Sequence, residues 1–507
     1  MGLHSPFLRF ILLILPSPPP TLLYKVFAQH LQRAFRHRFT PHQAEAALRI
    51  GAFLADPRDR QAFILRGYAG TGKTSLTAAV AKVWEETQNP VVLLAPTGRA
   101  AKVLATHAGK PAYTIHKMIY RQQTFRGEDT RFDLGWNKKS HVLFIVDEAS
   151  MLSCASTFSV FGTGNVLEDL VSFVFSQPGC RLMFVGDIAQ LPPVGEQCST
   201  ALVPATLRGY GLNVRGAELK EVVRQQQLSP VLREATKLRQ QLEEASADGL
   251  PDIDCSPSPN ADSRLSMLPG DEVAESIEDS YRQWGIDDTI IVTLSNRRAA
   301  AYNEAIRRRI LMHDDLLNSG DRVMAVKNNY HWTEEVMAQL SPEDMRRFPL
   351  AFIANGDCAI VVRYKNVHEM YGFCFCDVTL RFPDYENICI DVRANLSTLN
   401  SPAPALTESE QRSLFEQVEA SYSHIRDRRE RMKAVRRDAY YNALQIKYAY
   451  AVTCHKAQGG QWHDVYVDPG YMPLENMDAT EFLRWLYTAL TRTSANLFLL
   501  NWPQNDL

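Results

Sequence analysis

At 507 residues the chain is too long for one hydrophobic core and divides into several domains. It is 45% hydrophobic and 22% charged, with a net charge near −2, which excludes a global basic field; any nucleic-acid site is a local groove. Nine cysteines without a CxxC pair give no ligand spacing for a structural metal and fit reduced thiols in the cytoplasm.

The N-terminal MGLHSPFLRFILLILPSPPP holds an apolar run too short to span a bilayer, and no clean cleavage site follows it. Residues 1–28 are therefore expected to be a disordered extension, and no membrane partner is expected. From about Phe39, apolar runs alternate with helical stretches: AFIL, TSLTAAVAKVWEE, VVLLAP, GRAAKVLATHA, HVLFIVDE and RLMFVGD. That alternation predicts a parallel sheet buried on both faces, in a first domain over 29–225. The Asp-, Ser- and Pro-rich stretch 243–270 reads as a linker or surface loop. A second α/β pattern opens at TIIVTLS and RRAAAYNEAIRRRI, giving a domain over 226–320. From Gly320 short β-rich runs (GDRVMAV, CAIVVRY, FCFCDVTLRF, ICIDVRA) predict a small barrel. A charged helical stretch, Glu408 to Arg437, completes an insert over 321–440. Its segment IRDRRERMKAVRR carries seven basic residues against two acidic ones. The α/β texture returns over 441–507.

GYAGTGKT, Gly67 to Thr74, follows a strand and opens a helix, which is the context a phosphate loop requires. Lys73 supplies charge to the β- and γ-phosphates of ATP, and Thr74 a hydroxyl to Mg²⁺. The backbone of Gly67, Ala69, Gly70, Thr71, Gly72 and Ser75 completes the cradle at a helix N-terminus. In VLFIVDEAS, Asp147 ends a buried strand where a carboxylate can reach Mg²⁺, and Glu148 suits the attacking water. Gln43, near a helix start, has an amide able to pair with an adenine edge. Arg224 and Arg492 stand far along the chain from the loop and could reach the γ-phosphate, Arg492 from another domain. The stretch GDIAQLPPVG follows a strand directly, and its prolines hold Gln190 on stiff backbone.

GYAGTGKT, APTGRAA, TIH, DEASM, GDIAQLPPVG, EVVRQ, TCHKAQGGQW and YTALTRT occur in this order. The set resembles the motifs of the RecD/Dda-like branch of superfamily 1 helicases, from about Thr40 to Leu500. The resemblance implies an α/β fold of two RecA-like P-loop domains with parallel sheets, an SH3-like β-barrel insert and a short pin insert over about 117–139. It implies ATP-dependent, 5′→3′ DNA unwinding, with single-stranded and forked DNA as partners. Gln190 would sense the γ-phosphate, Arg224 and Arg492 would be arginine fingers, and Gln43, Gln458 and Gly459 would serve the nucleotide. Pro96, Thr97, Arg99, His116, Thr453, His455 and Lys456 would lie along single-stranded DNA, with Lys102 and Thr114 beside them.

The pin stretch offers Phe125, Phe132 and Trp136 for stacking on bases. It is short, which leaves open a DNA-stimulated ATPase that remodels protein–DNA complexes with little strand separation. The basic helix 426–437 reads as a solvated face or as a duplex-binding arm. A non-catalytic scaffold has no use for Lys73, Asp147, Glu148 and Arg492 together, and a small-molecule kinase leaves QLPPVG and HKAQG unexplained. No nuclease motif is visible, so a cytoplasmic monomer or an enzyme recruited by DNA repair or replication proteins is expected.

Overall fold

The computed structural model describes residues 20–35, 37–122, 132–154, 162–223, 229–244, 251–257, 263–350, 352–470 and 478–502. Strand alternation builds the first lobe. In β1 (Gln61–Gly67) Ala62 and Ile64 join one core, while Phe63 and Leu65 join another on the opposite face. β2 (Val91–Ala95), β3 (Ala112–Thr114), β6 (Leu143–Val146), β7 (Arg181–Gly186) and β8 (Asn213–Leu219) complete a six-stranded parallel sheet in the order β3-β2-β6-β7-β1-β8. Period-2 side chains that are apolar on both faces leave no wet face, so helices must cover both. β4 (Tyr120–Gln122) and β5 (Phe132–Leu134) form a separate antiparallel hairpin at the predicted pin, whose residues 123–131, Phe125 among them, lie outside the described residues.

The N-terminal expectation needs correcting. Residues Pro20–Ala34 form a helix rather than a disordered extension. Phe27, Leu31 and Phe35 recur at a spacing of four and are buried in the core that also holds Phe53 and Phe63. The helix packs closely on Pro41–Ala55, because Gly51 offers no side chain: a Cβ there would sit 2.7 Å from the Tyr24 carbonyl oxygen.

The second lobe is a five-stranded parallel sheet in the order β16-β10-β17-β18-β9. Its strands are β9 (Arg264–Leu268), β10 (Thr289–Thr293), β16 (Ala451–Thr453), β17 (Trp462–Asp468) and β18 (Thr493–Leu500), so the end of the expected linker 243–270 is instead an edge strand paired with β18. Inserted within it is a closed barrel of β11 (Arg322–Ala325), β12 (Cys358–Met370), β13 (Phe373–Phe382), β14 (Ile388–Asn395) and β15 (Leu444–Tyr448). β15 falls where the sequence places the returning second lobe. Ile446 opposite Ala325 and Leu444 opposite Ala394 show that it instead seals the barrel. Barrel residues such as Val378 and Leu380 share one core with Ile291 and Tyr466 of the second sheet, so barrel and lobe are packed as a unit.

The charged insert is two helices, Glu408–Ser421 and Arg428–Arg437, seated on the barrel through Leu414, Val418 and Val435 against Phe373 and Phe375. Arg431 and Lys433 pair with Glu419 and Glu430 at 3.2 and 3.6 Å. Arg426, Arg428, Arg429 and Arg437 are exposed and make no ion pair with a described residue. Among the described residues no helix is long and apolar enough to cross a membrane.

Candidate functional site: a phosphate loop closed by the second lobe

The carboxyl ends of the first sheet converge on the loop after β1, where α/β sheets place ligands. Gly72 caps the helix Lys73–Glu86 with φ at 80°, a backbone that L side chains resist, and a Cβ there would lie 2.8 Å from Gln43 Nε2. Gln43 is 1% exposed and fully engaged. Its Oε1 accepts from the Thr40 N–H at 3.0 Å, closing a capping box, and its Nε2 donates to the Thr71 carbonyl at 2.9 Å. Lys73 Nζ donates to the Tyr68 carbonyl at 2.9 Å and stands 3.8 Å from Asp187 Oδ2. Thr74 is half-buried in the first helical turn, and Ser75 is exposed.

Asp147 and Glu148 follow β6 directly. Burial raises the pKa of Asp147, the neighbouring Glu148 charge raises it further, and the Glu148 N–H and Lys73 pull it down. The Glu148 N–H donates to Asp147 Oδ1 at 2.9 Å. Glu148 has φ of 51°, a left-handed conformation that costs a non-glycine residue about 1–2 kcal/mol. Strain of this kind collects at functional sites. A helix-start hydroxyl and a buried strand-end carboxylate beside a phosphate loop fit the donor set of a Mg²⁺–nucleotide. Among the described residues no group of three or more His, Cys, Asp or Glu could hold a metal unaided.

After β7 comes the strap from Asp187 to Val194. Asp187 is fully buried, and its Oδ1 accepts from the Ala189 N–H at 3.0 Å. Gln190 is 4% exposed, and its side-chain carbonyl is buried with no hydrogen-bond partner among the described residues. An orphan acceptor of this kind costs about 1–3 kcal/mol and marks a place where a donor is expected. The far end of the strap, Pro193 and Val194, lines a cleft of about 230 Å³ shared by both lobes and the barrel.

The second lobe reaches this strap through the helix Ala479–Leu490 and through Gln458. The Leu191 N–H donates to Thr488 Oγ1 at 2.9 Å, and Gln458 Nε2 donates to the Leu191 carbonyl at 2.7 Å. Tyr487 Oη accepts from the Ala69 N–H at 2.9 Å and donates to Asp187 Oδ2 at 2.7 Å. Arg492, 4% exposed, donates to the carbonyls of Thr488 (3.0 Å) and Gly460 (3.4 Å) and to the Thr491 hydroxyl (3.1 Å). It has no carboxylate partner among the described residues. Arg224 lies outside the described residues, although the chain just before it reaches the loop: the Val223 N–H donates to the Gly70 carbonyl at 3.0 Å.

Thr97, Arg99, His455, Lys456 and Gln458 meet at the cleft. Thr97 caps the helix Gly98–Ala108 by accepting from the Ala100 N–H, directly after Pro96. Arg99 crosses to the second lobe, its guanidinium 3.9 Å over the Trp462 ring and its charged form disfavoured by burial. Gly459 also meets the first lobe, since a Cβ there would lie 3.0 Å from Ala100 Cβ. Thr453 ends β16 just before His455 and Lys456. Burial pushes Lys456 down to about 8 and also lowers His455, while Lys456 Nζ hydrogen-bonds Asn355 of the barrel. His116 does not line this cleft. It packs against Tyr120 and Phe352, and burial takes its pKa to about 4, so it is neutral at physiological pH. Trp136, at the base of the pin hairpin, is 67% exposed.

Sequence reasoning passes over Asp187 and Tyr487. Asp187 carries the same signal as Asp147, an acid at the end of an apolar strand. Tyr487 sits in a helix buried on nearly every side, from Phe482 to Leu490, where a phenol hydroxyl requires a partner.

A phosphate loop at the carboxyl ends of one parallel sheet, with a second parallel lobe bonded to it, defines a two-lobed P-loop protein. Residues 38–251 match the AAA domain family, and residues 448–500 match the UvrD-like helicase C-terminal domain. Over 135 residues the chain is 37% identical to the ATP-dependent RecD2 DNA helicase of Deinococcus radiodurans, covering 26% of this chain and 16% of that one. Over 146 residues it is 32% identical to the ATP-dependent DNA helicase dda of Enterobacteria phage T4, covering 27% and 30%. The chain therefore matches less than a third of either relative's length. A solved structure of two Pif1 helicases at forked double-stranded DNA aligns with 91% of this chain and 92% of its own, at 14% identity and a TM-score of 0.44. Its first lobe thus carries the AAA domain match and its last segment the UvrD-like helicase C-terminal match, and over the stretches aligned the chain is similar to RecD2 and Dda helicases.

Proposed function

We propose that the chain hydrolyses ATP and uses closure of its two lobes to move 5′→3′ along single-stranded DNA and unwind duplex DNA. The observation that carries this reading is the strap from Asp187 to Val194. One end touches Lys73 and the other lines the cleft, so a change at the phosphates can be felt where a strand would lie.

In this reading Lys73 and the loop amides of Gly70, Thr71 and Gly72 bind the phosphates, with Gly67, Ala69 and Ser75 shaping the loop. Thr74 and Asp147 would hold Mg²⁺, which would supply charge neutralisation to the bound phosphates. Glu148 takes the proton of the attacking water, and the orphan carbonyl of Gln190 suits the other O–H of that water. Arg492 and Arg224 supply positive charge to the transition state. Gln43 supports the adenine end through its hold on Thr71, and Gln458 and Gly459 pass the state of the site to the cleft. Pro96, Thr97, Arg99, Thr453, His455 and Lys456 shape the path of the strand, which is held by sugar-phosphate contacts without sequence readout, while His116 packs away from the cleft.

Unwinding of duplexes carrying a 5′ or a 3′ single-stranded tail, measured with ATP and Mg²⁺, tests activity and polarity together. Strand release from the 5′-tailed substrate is the expected result. ATP hydrolysis with no release from either substrate would favour a translocase that remodels protein–DNA complexes.

Lys456 gives the proposed path a pH signature. With a pKa near 8 it loses its charge above that pH, and a DNA phosphate favours the charged form. Binding then takes up a proton above pH 8, so affinity for single-stranded DNA should weaken by up to about tenfold between pH 8 and 9. Lys456→Arg, which stays charged, should flatten the curve; fluorescence anisotropy of a labelled oligonucleotide reads both.

The exposed arginines of the two-helix insert suit a duplex ahead of the moving lobes. Changing Arg428, Arg429 and Arg437 together to Gln should reduce the slope of log affinity against log salt by about 0.9 for each phosphate no longer neutralised. A slope equal to that of the unaltered chain would leave these helices as a solvated face.

A further inference from the structure

The hydroxyl of Tyr487 joins three parts of the molecule that belong to different steps. It comes from the second lobe, its side chain is 1% exposed, and it accepts the N–H of Ala69 inside the phosphate loop at 2.9 Å. It donates to Asp187 Oδ2 at 2.7 Å, the oxygen that stands 3.8 Å from Lys73 Nζ. Burial and the Asp187 charge keep the phenol protonated and able to donate. The next residue on the helix, Thr488, accepts the Leu191 N–H from the strap, and its carbonyl accepts from Arg492 Nε. One rigid helical turn therefore fixes the phosphate loop, the strap and the buried guanidinium relative to one another. Asp187 cannot respond to a change at Lys73 without altering its bond to the second lobe.

We propose that Tyr487 is a positioning residue that ties the phosphate loop to lobe closure, so that ATP and single-stranded DNA alter each other's affinity through its hydroxyl. The proposal rests on the function given above and names the contact through which its two ligands communicate. By linkage, the factor by which nucleotide changes DNA affinity equals the factor by which DNA changes nucleotide affinity, so one contact should govern both.

The test uses the full chain and Tyr487→Phe, which keeps the ring and removes both hydrogen bonds. Affinity for a labelled oligothymidylate is measured with and without a non-hydrolysable ATP analogue, and affinity for the analogue with and without the oligonucleotide. The expected result is that both ratios fall together towards one, by at least about fivefold. Tyr466→Phe serves as the control. It removes an equally buried hydroxyl of the second lobe, bonded to Ser276 and Ser280. Thermal melts of both variants report any loss of stability. Unchanged ratios in Tyr487→Phe, or an equal fall in Tyr466→Phe, would overturn the proposal. If the unaltered chain shows no coupling between the two ligands, the function proposed above fails instead.

Discussion

Replacing Arg492 with alanine is expected to lower ATP hydrolysis by about a thousandfold at saturating nucleotide, close to 4 kcal/mol of transition-state stabilisation. The guanidinium is 4% exposed and held by two carbonyls and a hydroxyl. These oxygens orient the cation without neutralising it. A buried charge without a counter-ion is costly, and the cost is relieved when an anion completes the site. A transferring phosphoryl group, whose charge spreads over its oxygens, is such an anion. Nucleotide binding should change far less than turnover, because most of the phosphate cradle belongs to the first lobe. Steady-state hydrolysis together with equilibrium binding of a fluorescent nucleotide separates the two. Arg492→Lys should recover little, since an ammonium cannot reproduce the planar fork. Hydrolysis at the normal rate in the alanine variant would mean that the second lobe takes no part in the reaction.

Glu148→Gln should reduce turnover by about 10²- to 10⁴-fold and leave the bound nucleotide in place. The change is nearly isosteric, so the left-handed backbone at φ 51° and the N–H bond to Asp147 Oδ1 are kept while the proposed base is lost. A left-handed glutamate between a buried strand and a 3₁₀ turn, Ala149–Met151, is held by its surroundings and not by its own preference. The strain fixes where the carboxylate sits. The variant should therefore collect as an ATP-bound complex, seen as retention of radiolabelled ATP without product after filtration. Rapid release, or turnover within a few-fold of normal, would remove Glu148 from the proton-transfer role.

Much of the site is legible in the residues alone. Apolar runs such as FIL and LFIV, closed by glycine or an acid, mark strands buried on both faces, and the chemistry follows at their carboxyl ends. That logic locates Lys73, Asp147, Glu148 and the strap holding Gln190. It passes over the helix Pro20–Ala34, because prolines and a leader-like apolar run precede a weakly patterned segment whose burial depends on Gly51 admitting its backbone. It ends the barrel before β15, because a five-residue strand buried throughout reads alike in a barrel or in a parallel sheet.

The sequence by itself determined the class of fold, the phosphate loop and the order of the motifs. These depend on local spacing: two residues per strand repeat, a glycine where φ must be positive, a cap where a helix begins. Only the tertiary structure decided which motifs touch. Ala69 meets Tyr487 across 418 positions, and Asp187 meets the same hydroxyl across 300. No local propensity encodes such pairs; they form because two sheets bury their faces separately and leave their polar ends to satisfy one another at the boundary.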